Sequence, residues 1–364
     1  MSNSAMRKLK LVVSDFHLGK GTRLPNGALN PLEDFHHDHK FKEFLEYYST
    51  GSYVDSEIEL ILNGDILNLI QIDYHGHYPV IITEVVSVAK LEQVIKGHPV
   101  FFEAIKDFLK HPKHSVTYVV GNHDQEMLWK GARDLFDRAV GREINWKNIY
   151  HQVDGVHIEH GHQYETANRI DPTRLFLTEG LPEPILNLPW GTLFTVQFLI
   201  KLKLLRPAVD KVRPFKQMIW WHFLHDTWTT LVHGFRLIAY FISTRFSKNR
   251  YRQVSLNTTF KLLWEASVFP DLSDAAKRIL RTPEIHTVVF GHSHVYRHVP
   301  VGDEKQYLNT GTWTDMVSLD LETFARRTRL TYVRVEYHAH SPKPISLLRH
   351  WIGRIPLEDD ALGI

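Results

Sequence analysis

Five times in this chain a short aliphatic run ends in a glycine or a turn, and then in a side chain able to hold a metal ion. The runs are LKLVVSD (9–15), IELILNGD (58–65), SVTYVVGNHD (115–124), IHTVVFGHSH (285–294) and the weaker VHIEHGH (156–162). Such runs read as buried strands. Apolar residues at helical spacing fill the intervals, at 35–49, 86–96, 99–111 and 124–140. Strands alternating with helices predict a layered α/β domain. In open α/β sheets, ligands bind beyond the carboxyl ends of the strands. Five polar clusters at five strand ends therefore predict one shared site. Segments 306–313 and 329–338 also read as strands, the second alternating as in a sheet with one wet face.

The clusters are Asp15-x-His17, Gly64-Asp65 with Asn68 three residues on, Gly121-Asn122-His123-Asp124, His160-Gly161-His162 and Gly291-His292-Ser293-His294. Each alone is an ordinary turn, since Gly, Asn and Asp end strands for local reasons. Together they supply carboxylate, imidazole and amide oxygen, which are ligands for manganese, iron or zinc. Two such cations about 3.5–4 Å apart need a bridging anionic oxygen, and Asp65 at a central strand end is the natural source. The chain has no cysteine, which excludes a disulfide framework and a thiolate metal site. Among the 24 histidines, HHDH at 36–39 places only His36 and His39 on one helix face, and it reads as polar surface or a substrate-entry feature. Tyr164, Glu165 and Asn168 are expected to line the cleft. Asn309, Thr310 and Gly311 read equally as a strand and its turn.

The formal net charge of +2 conceals an uneven distribution. Between Ile200 and Gln253 there are eleven Lys or Arg against two acids, with Trp220, Trp221 and Trp228, so the remainder is net acidic. The segment 181–253 is expected to be a basic, aromatic helical insert. Its apolar runs are broken by Lys201, Lys203, Asp226 and Arg236, so none is a clean membrane span. A packed cap and an amphipathic lid that meets anionic lipid both suit this composition. A nucleic-acid surface suits it less, because the aliphatic runs are long. The expected organisation is a catalytic domain over 6–180 and 254–340, the insert over 181–253 and a C-terminal tail over 341–364. The start of the chain lacks the apolar run of a signal peptide, so a cytoplasmic protein is expected, peripheral at the inner face of a membrane if the insert binds lipid.

The five clusters together resemble the calcineurin-like metallophosphoesterase family, whose pattern runs D-x-H, G-D, G-N-H-D/E, H and G-H-x-H. The matches are Asp15, His17, Gly64, Asp65, Gly121 to Asp124, His160 and Gly291 to His294. The resemblance implies an α/β fold, a four-layer α/β/β/α sandwich of two mixed sheets flanked by helices. It implies two divalent metals, manganese first with iron or zinc as alternatives. Asp15, His17 and His294 would hold one, Asn122, His160 and His292 the other, and Asp65 would bridge them; His162 competes with His160. It implies hydrolysis of a phosphoester or pyrophosphate by a metal-bridging hydroxide. His123 would contact the phosphoryl group and Asp124 would orient His123 and raise its pKa. The insert suggests a bulky, anionic, lipid-like substrate, as in the similar UDP-2,3-diacylglucosamine hydrolases, which however carry Arg where this chain has His123. A nucleotide phosphodiesterase, a phosphoprotein phosphatase and a non-catalytic scaffold are the alternatives. Oligomeric state is not encoded in these features.

Overall fold

The computed structural model describes residues 7–206, 212–213, 220, 223–246, 258, 261–262, 271–318, 326–327, 329–338, 341 and 343–354. Met6, Trp221, much of 207–222 and 247–253 of the expected insert, and 355–364 of the expected tail lie outside the described residues.

The first half of the chain builds a parallel sheet. Strands β1 (Lys8–Val13), β2 (Glu57–Asn63), β3 (His114–Val119) and β4 (Asn145–Lys147) pair in that order. Helices α1 (Asp38–Tyr48), α2 (Glu84–Gly97), α3 (Pro99–Leu109) and α4 (Lys130–Val140) alternate with them. Local chemistry sets their ends: Thr83 caps α2 by accepting from Val86 N, Pro99 opens α3, and Gly141 closes α4 in the left-handed region at φ +77.

Further along come the hairpin β5 (Tyr150–Val153) and β6 (Val156–Glu159), and the small pair β7 (Phe176–Leu177) and β8 (Ile185–Leu186). Helices α5 (Trp190–Phe194) and α6 (Ile200–Leu205) are joined through a π-helical turn, Thr195–Leu199. Beyond them lie β9 (Val212–Arg213), α7 (Thr227–Arg245) and α8 (Ser273–Ile279). The chain ends with β10 (Thr287–Phe290), β11 (Arg297–Val301), β12 (Lys305–Asn309), β13 (Met316–Ser318), β14 (Arg326–Arg327), β15 (Leu330–Tyr337) and β16 (Ile345–Trp351). Strands β15 and β16 add antiparallel to the first sheet, giving the order β16-β15-β1-β2-β3-β4. A second mixed sheet has the order β11-β12-β10-β6-β5, with β12, β10 and β6 parallel. Strands β14, β13 and β9 form a small third sheet.

Side-chain alternation explains why the strand runs look continuously apolar. Leu9, Leu11, Val13, Ile58, Leu60 and Leu62 point to the cluster that includes α1 to α4. Val12, Ile61 and Val119 point the other way and meet Val156, Ile158, Val289 and Leu308 of the second sheet. Strands buried on both faces need apolar residues at every position. A third cluster joins Val288, Phe290 and Tyr307 to residues of α8.

Four expectations need correction. The helix expected at 35–49 starts at Asp38, because Phe35 turns into the core against Phe16, with ring centroids 5.2 Å apart. The helix expected at 124–140 is a 3₁₀ turn, Gln125–Leu128, followed by α4, and Gln125, Glu126 and Met127 are buried. The expected tail begins with an edge strand: Ile345–Trp351 pairs with β15, and Trp351 packs on Phe44. The insert boundary at 181 also falls inside the β7–β8 pair, and helix begins only at Trp190.

Candidate metal centre

The parallel strands of both sheets end at one edge. Beyond β1 stand Asp15 and His17, beyond β2 Asp65, beyond β3 Asn122 and His123, beyond β6 His160, and beyond β10 His292 and His294. Backbone hydrogen bonds stitch these loops together. Asp15 N donates to Gly64 O at 3.1 Å, His17 N to Asp65 O at 3.0 Å, and Gly291 N to His160 O at 2.9 Å.

The backbone carries a second mark of the site. Asp15, His17, Asp65, His292 and His294 have φ between +51 and +66, and they are five of the seven non-glycine residues with positive φ among the described residues. Such conformations cost about 1–3 kcal/mol each and persist where the surroundings over-determine them. Two glycines are required by space rather than by φ. A Cβ on Gly121 would run into the carboxylate of Asp65, and one on Gly291 would meet Ser14 and Asp15.

Three overlapping groups result: Asp15, His17 and His294; His17, Asp65 and His123; and Asp65, His160 and His292. Within each, the potential ligand atoms lie within 4.8 Å of one another. His294 Nε2 is 3.3 Å from Asp15 Oδ1, and His17 Nε2 is 3.0 Å from His294 Nε2 and 3.8 Å from Asp65 Oδ2. On the other side, His160 Nε2 is 3.1 Å from Asp65 Oδ2. Asp65 thus lies between the two sets.

The outer partners fix the inner groups. His160 Nδ1 donates to Asn63 O at 2.9 Å, which leaves Nε2, aimed at Asp65, as the nitrogen a metal would take once its proton is lost. That Nε2 and the Oδ1 of Asn122 are buried with no hydrogen-bond partner. Buried polar atoms are normally satisfied, so orphans of this kind at the strand ends fit a cation. His292 Nε2 is 2.7 Å from Glu165 Oε2, and Asn168 Nδ2 donates to the same oxygen at 2.8 Å. Asn309 and Thr310 brace the loops: Asn309 Nδ2 donates to Gly291 O, and Thr310 Oγ1 lies 2.6 Å from Ser14 Oγ.

Electrostatics agree with a cation here. Burial alone would raise the Asp65 carboxyl, but His160 and His123 hold it well below the carboxylate range. Burial would neutralise His160, but Asp65 and Asp15 hold its pKa at about 10. Burial and the neighbouring His123 push His17 far down, and burial and His160 do the same to His162. His162 is buried with neither ring nitrogen bonded, and its ring centroid is 5.5 Å from that of His160. It belongs to none of the three groups.

The expected partnership of Asp124 with His123 is corrected. The Asp124 carboxylate accepts from Gly121 N at 2.5 Å, Ile66 N at 2.9 Å and Tyr118 Oη at 2.7 Å. It braces the loops after β2 and β3 from the helix side. His123 Nδ1 pairs instead with Asn68 Oδ1 at 2.9 Å, and burial lowers its pKa rather than raising it. Asn68, three residues after Asp65, was visible in the sequence; its partner was not. Of the HHDH stretch, no histidine joins the ligand groups, and His37 pairs with Asp315 at 3.1 Å.

No protein-family model matches the chain, and comparison with curated proteins finds no match. Among solved structures, it is similar to a dimetal phosphatase from Danio rerio at 9% identity, over 94% of this chain and 98% of that one, with a TM-score of 0.33. It is similar to Entamoeba histolytica Vps29 complexed with zinc at 12% identity, over 94% and 99%, with a TM-score of 0.28. Chaetomium thermophilum Vps29 gives 7% identity over 95% and 97%, with a TM-score of 0.29. These similarities are too distant to carry fold or activity, which rest on the geometry above.

Proposed function

We propose that the chain is a dinuclear metal-dependent hydrolase of phosphoesters or pyrophosphates. The observation that carries this reading is the position of Asp65, shared by a group with His17 and a group with His160 and His292. In this reading Asp15, His17 and His294 hold one divalent cation, Asn122, His160 and His292 hold the other, and Asp65 serves both. The hard and imidazole donors without sulfur suit manganese, with iron or zinc as alternatives. The three apolar clusters support a four-layer order of helices, sheet, sheet and helix, with the insert entered at Trp190, after the β7–β8 pair, and β16 part of the catalytic unit.

Bound there, two divalent cations supply Lewis-acid stabilisation of phosphoryl charge and a lowered pKa for water. The chain's own residues supply the rest. Asn68 accepts from His123 Nδ1–H, so Nε2 is the nitrogen available to a substrate oxygen. Burial holds His123 neutral, and an arriving phosphoryl anion opposes that shift. His123 can then take up a proton and deliver it to the leaving oxygen. Asp124 acts on position only, through the backbone of Gly121 and Ile66.

The substrate class we infer is bulky, anionic and partly apolar, met at an anionic membrane surface. What supports it is α7, where Trp228, Leu231, Phe235, Ile238 and Ile242 are exposed at helical spacing. They lie within a segment carrying eleven Lys or Arg. No helix among the described residues is long and apolar enough to cross a membrane. Turnover of bis(p-nitrophenyl) phosphate with manganese tests the reaction class. Sedimentation with anionic vesicles tests the surface, and binding that salt does not weaken would contradict it.

A further inference from the structure

Lys203 of α6, one of the bases of the insert, has no exposed surface. Its Nζ lies 3.0 Å from Asp34 Oδ2 and 3.3 Å from Oδ1. Asn68 Nδ2 donates to Asp34 Oδ2 at 3.2 Å, and Asn68 Oδ1 is the atom 2.9 Å from His123 Nδ1. We propose that Lys203 and Asp34 are positioning residues, through which the inserted helix fixes the amide of Asn68 and hence the orientation and tautomer of His123. This rests on the reading of His123 as the residue that contacts substrate.

Donor and acceptor chemistry fixes the orientation of Asn68. A carboxylate only accepts, so Asp34 compels Asn68 to present Nδ2 to it and Oδ1 to His123. The Oδ1 atom accepts, so Nδ1 of His123 must carry the proton and Nε2 is left to face a substrate oxygen. Without Asp34, the amide can turn over and offer a donor to Nδ1, which selects the other tautomer. Lys203 makes a buried Asp34 tolerable, because a carboxylate taken out of water needs a partner charge.

The surroundings hold this chain of contacts in place. Val196 and Ile200 of the insert pack on Leu32 and Ile70, which flank Asp34 and Asn68 in sequence. Positions 196, 200 and 203 share one helix face. Beside Asp34, the Glu33 carboxylate accepts from the backbone of Gly19, Gly21 and Phe35, which ties the loop down. The other end of the same helix pair reaches the opposite side of the site. Gly191 N donates to Ala167 O at 2.7 Å, next to Asn168, which holds Glu165 against His292. A buried ion pair is weak evidence of stability, since apolar residues of similar volume do as well. Its presence between an insert and a histidine at the site points to positioning.

Two variants test this. Lys203→Arg keeps the charge. Asp34→Leu with Lys203→Met replaces both charges by apolar groups, and its thermal melt shows whether it folds. Long-range ¹H–¹⁵N spectra of the full chain, metal-free and with zinc added, report the tautomer of His123, assigned from its loss in His123→Gln. We expect a single Nδ1–H tautomer in the wild type and in Lys203→Arg, and a mixed or inverted tautomer in the double variant. The kcat for bis(p-nitrophenyl) phosphate should fall about 10- to 100-fold in the double variant with KM within about twofold, since small misplacements of a catalytic group cost that much. An unchanged tautomer in a folded double variant overturns the proposal. If the wild type shows no turnover, the hydrolase reading fails, while the spectra still decide the positioning.

Discussion

Loading the stripped protein with metal should release the proton held on His160. In the metal-free cluster, burial opposes a charged His160, but Asp65 at 3.1 Å and Asp15 hold its pKa at about 10 against an ordinary 6.5. The Nε2 that faces Asp65 must be deprotonated to ligate a metal. At pH 8 a group of pKa about 10 is about 99% protonated. Calorimetric titration of chelator-stripped protein with zinc at pH 8, in two buffers of different protonation enthalpy, counts the released protons. The wild type should release about one more than His160→Gln. The sign of the stability effect follows from the raised pKa. The contribution is complete below the unfolded value of 6.5 and is lost as pH rises through about 10. Metal-free wild type should therefore lose stability between pH 7 and 10, measured by urea melts, and His160→Gln should lose less. Equal proton release in the two proteins, or flat stability over that range, would refute the reasoning.

His123→Ala should lower kcat for bis(p-nitrophenyl) phosphate by about 10²–10⁴-fold while metal content, measured by elemental analysis, stays at the wild-type value. Asp124→Ala removes three hydrogen bonds to a buried carboxylate and should cost about 3–4.5 kcal/mol in a urea melt, at about 1–1.5 kcal/mol per bond; a large loss of activity with unchanged stability would restore it as a direct partner of His123. Phe235→Glu on the exposed face of α7 should abolish sedimentation with anionic vesicles and leave turnover of the soluble diester unchanged.

Much of this site is legible in the sequence because it rests on short-range order. Each aliphatic run is long enough to be a strand buried on both faces, and each polar cluster follows its strand directly, so Asp15, Asp65, Asn122, His160 and His292 could be placed at strand ends before their neighbours were known. The strands stop at or just before the end of each run: β10 at Phe290, directly before Gly291, and β3 at Val119, one residue before its run ends. The remaining residues leave the strand, several through the left-handed backbone that Asp and His tolerate and no local pattern announces. Contacts across the fold were not legible. Asp124 next to His123 suggested a pair, yet the strand geometry sends one side chain to Tyr118 and the other to Asn68. Lys203 looked like one more base in a basic segment, because burial of a charge depends on an acid 169 residues away in sequence. Strand β16 was missed because ISLLRHW has a half-exposed pattern and becomes a strand through its pairing with β15.

The central claim is that Asp65 stands between two cations, and metal stoichiometry tests it most directly. Equilibrium titration with manganese or zinc, read by elemental analysis after gel filtration, should give two ions per wild-type chain. The same preparation should hydrolyse bis(p-nitrophenyl) phosphate, and Asp65→Asn should lose both ions and activity together. One ion per chain with full turnover, or two ions retained in Asp65→Asn, would contradict the account.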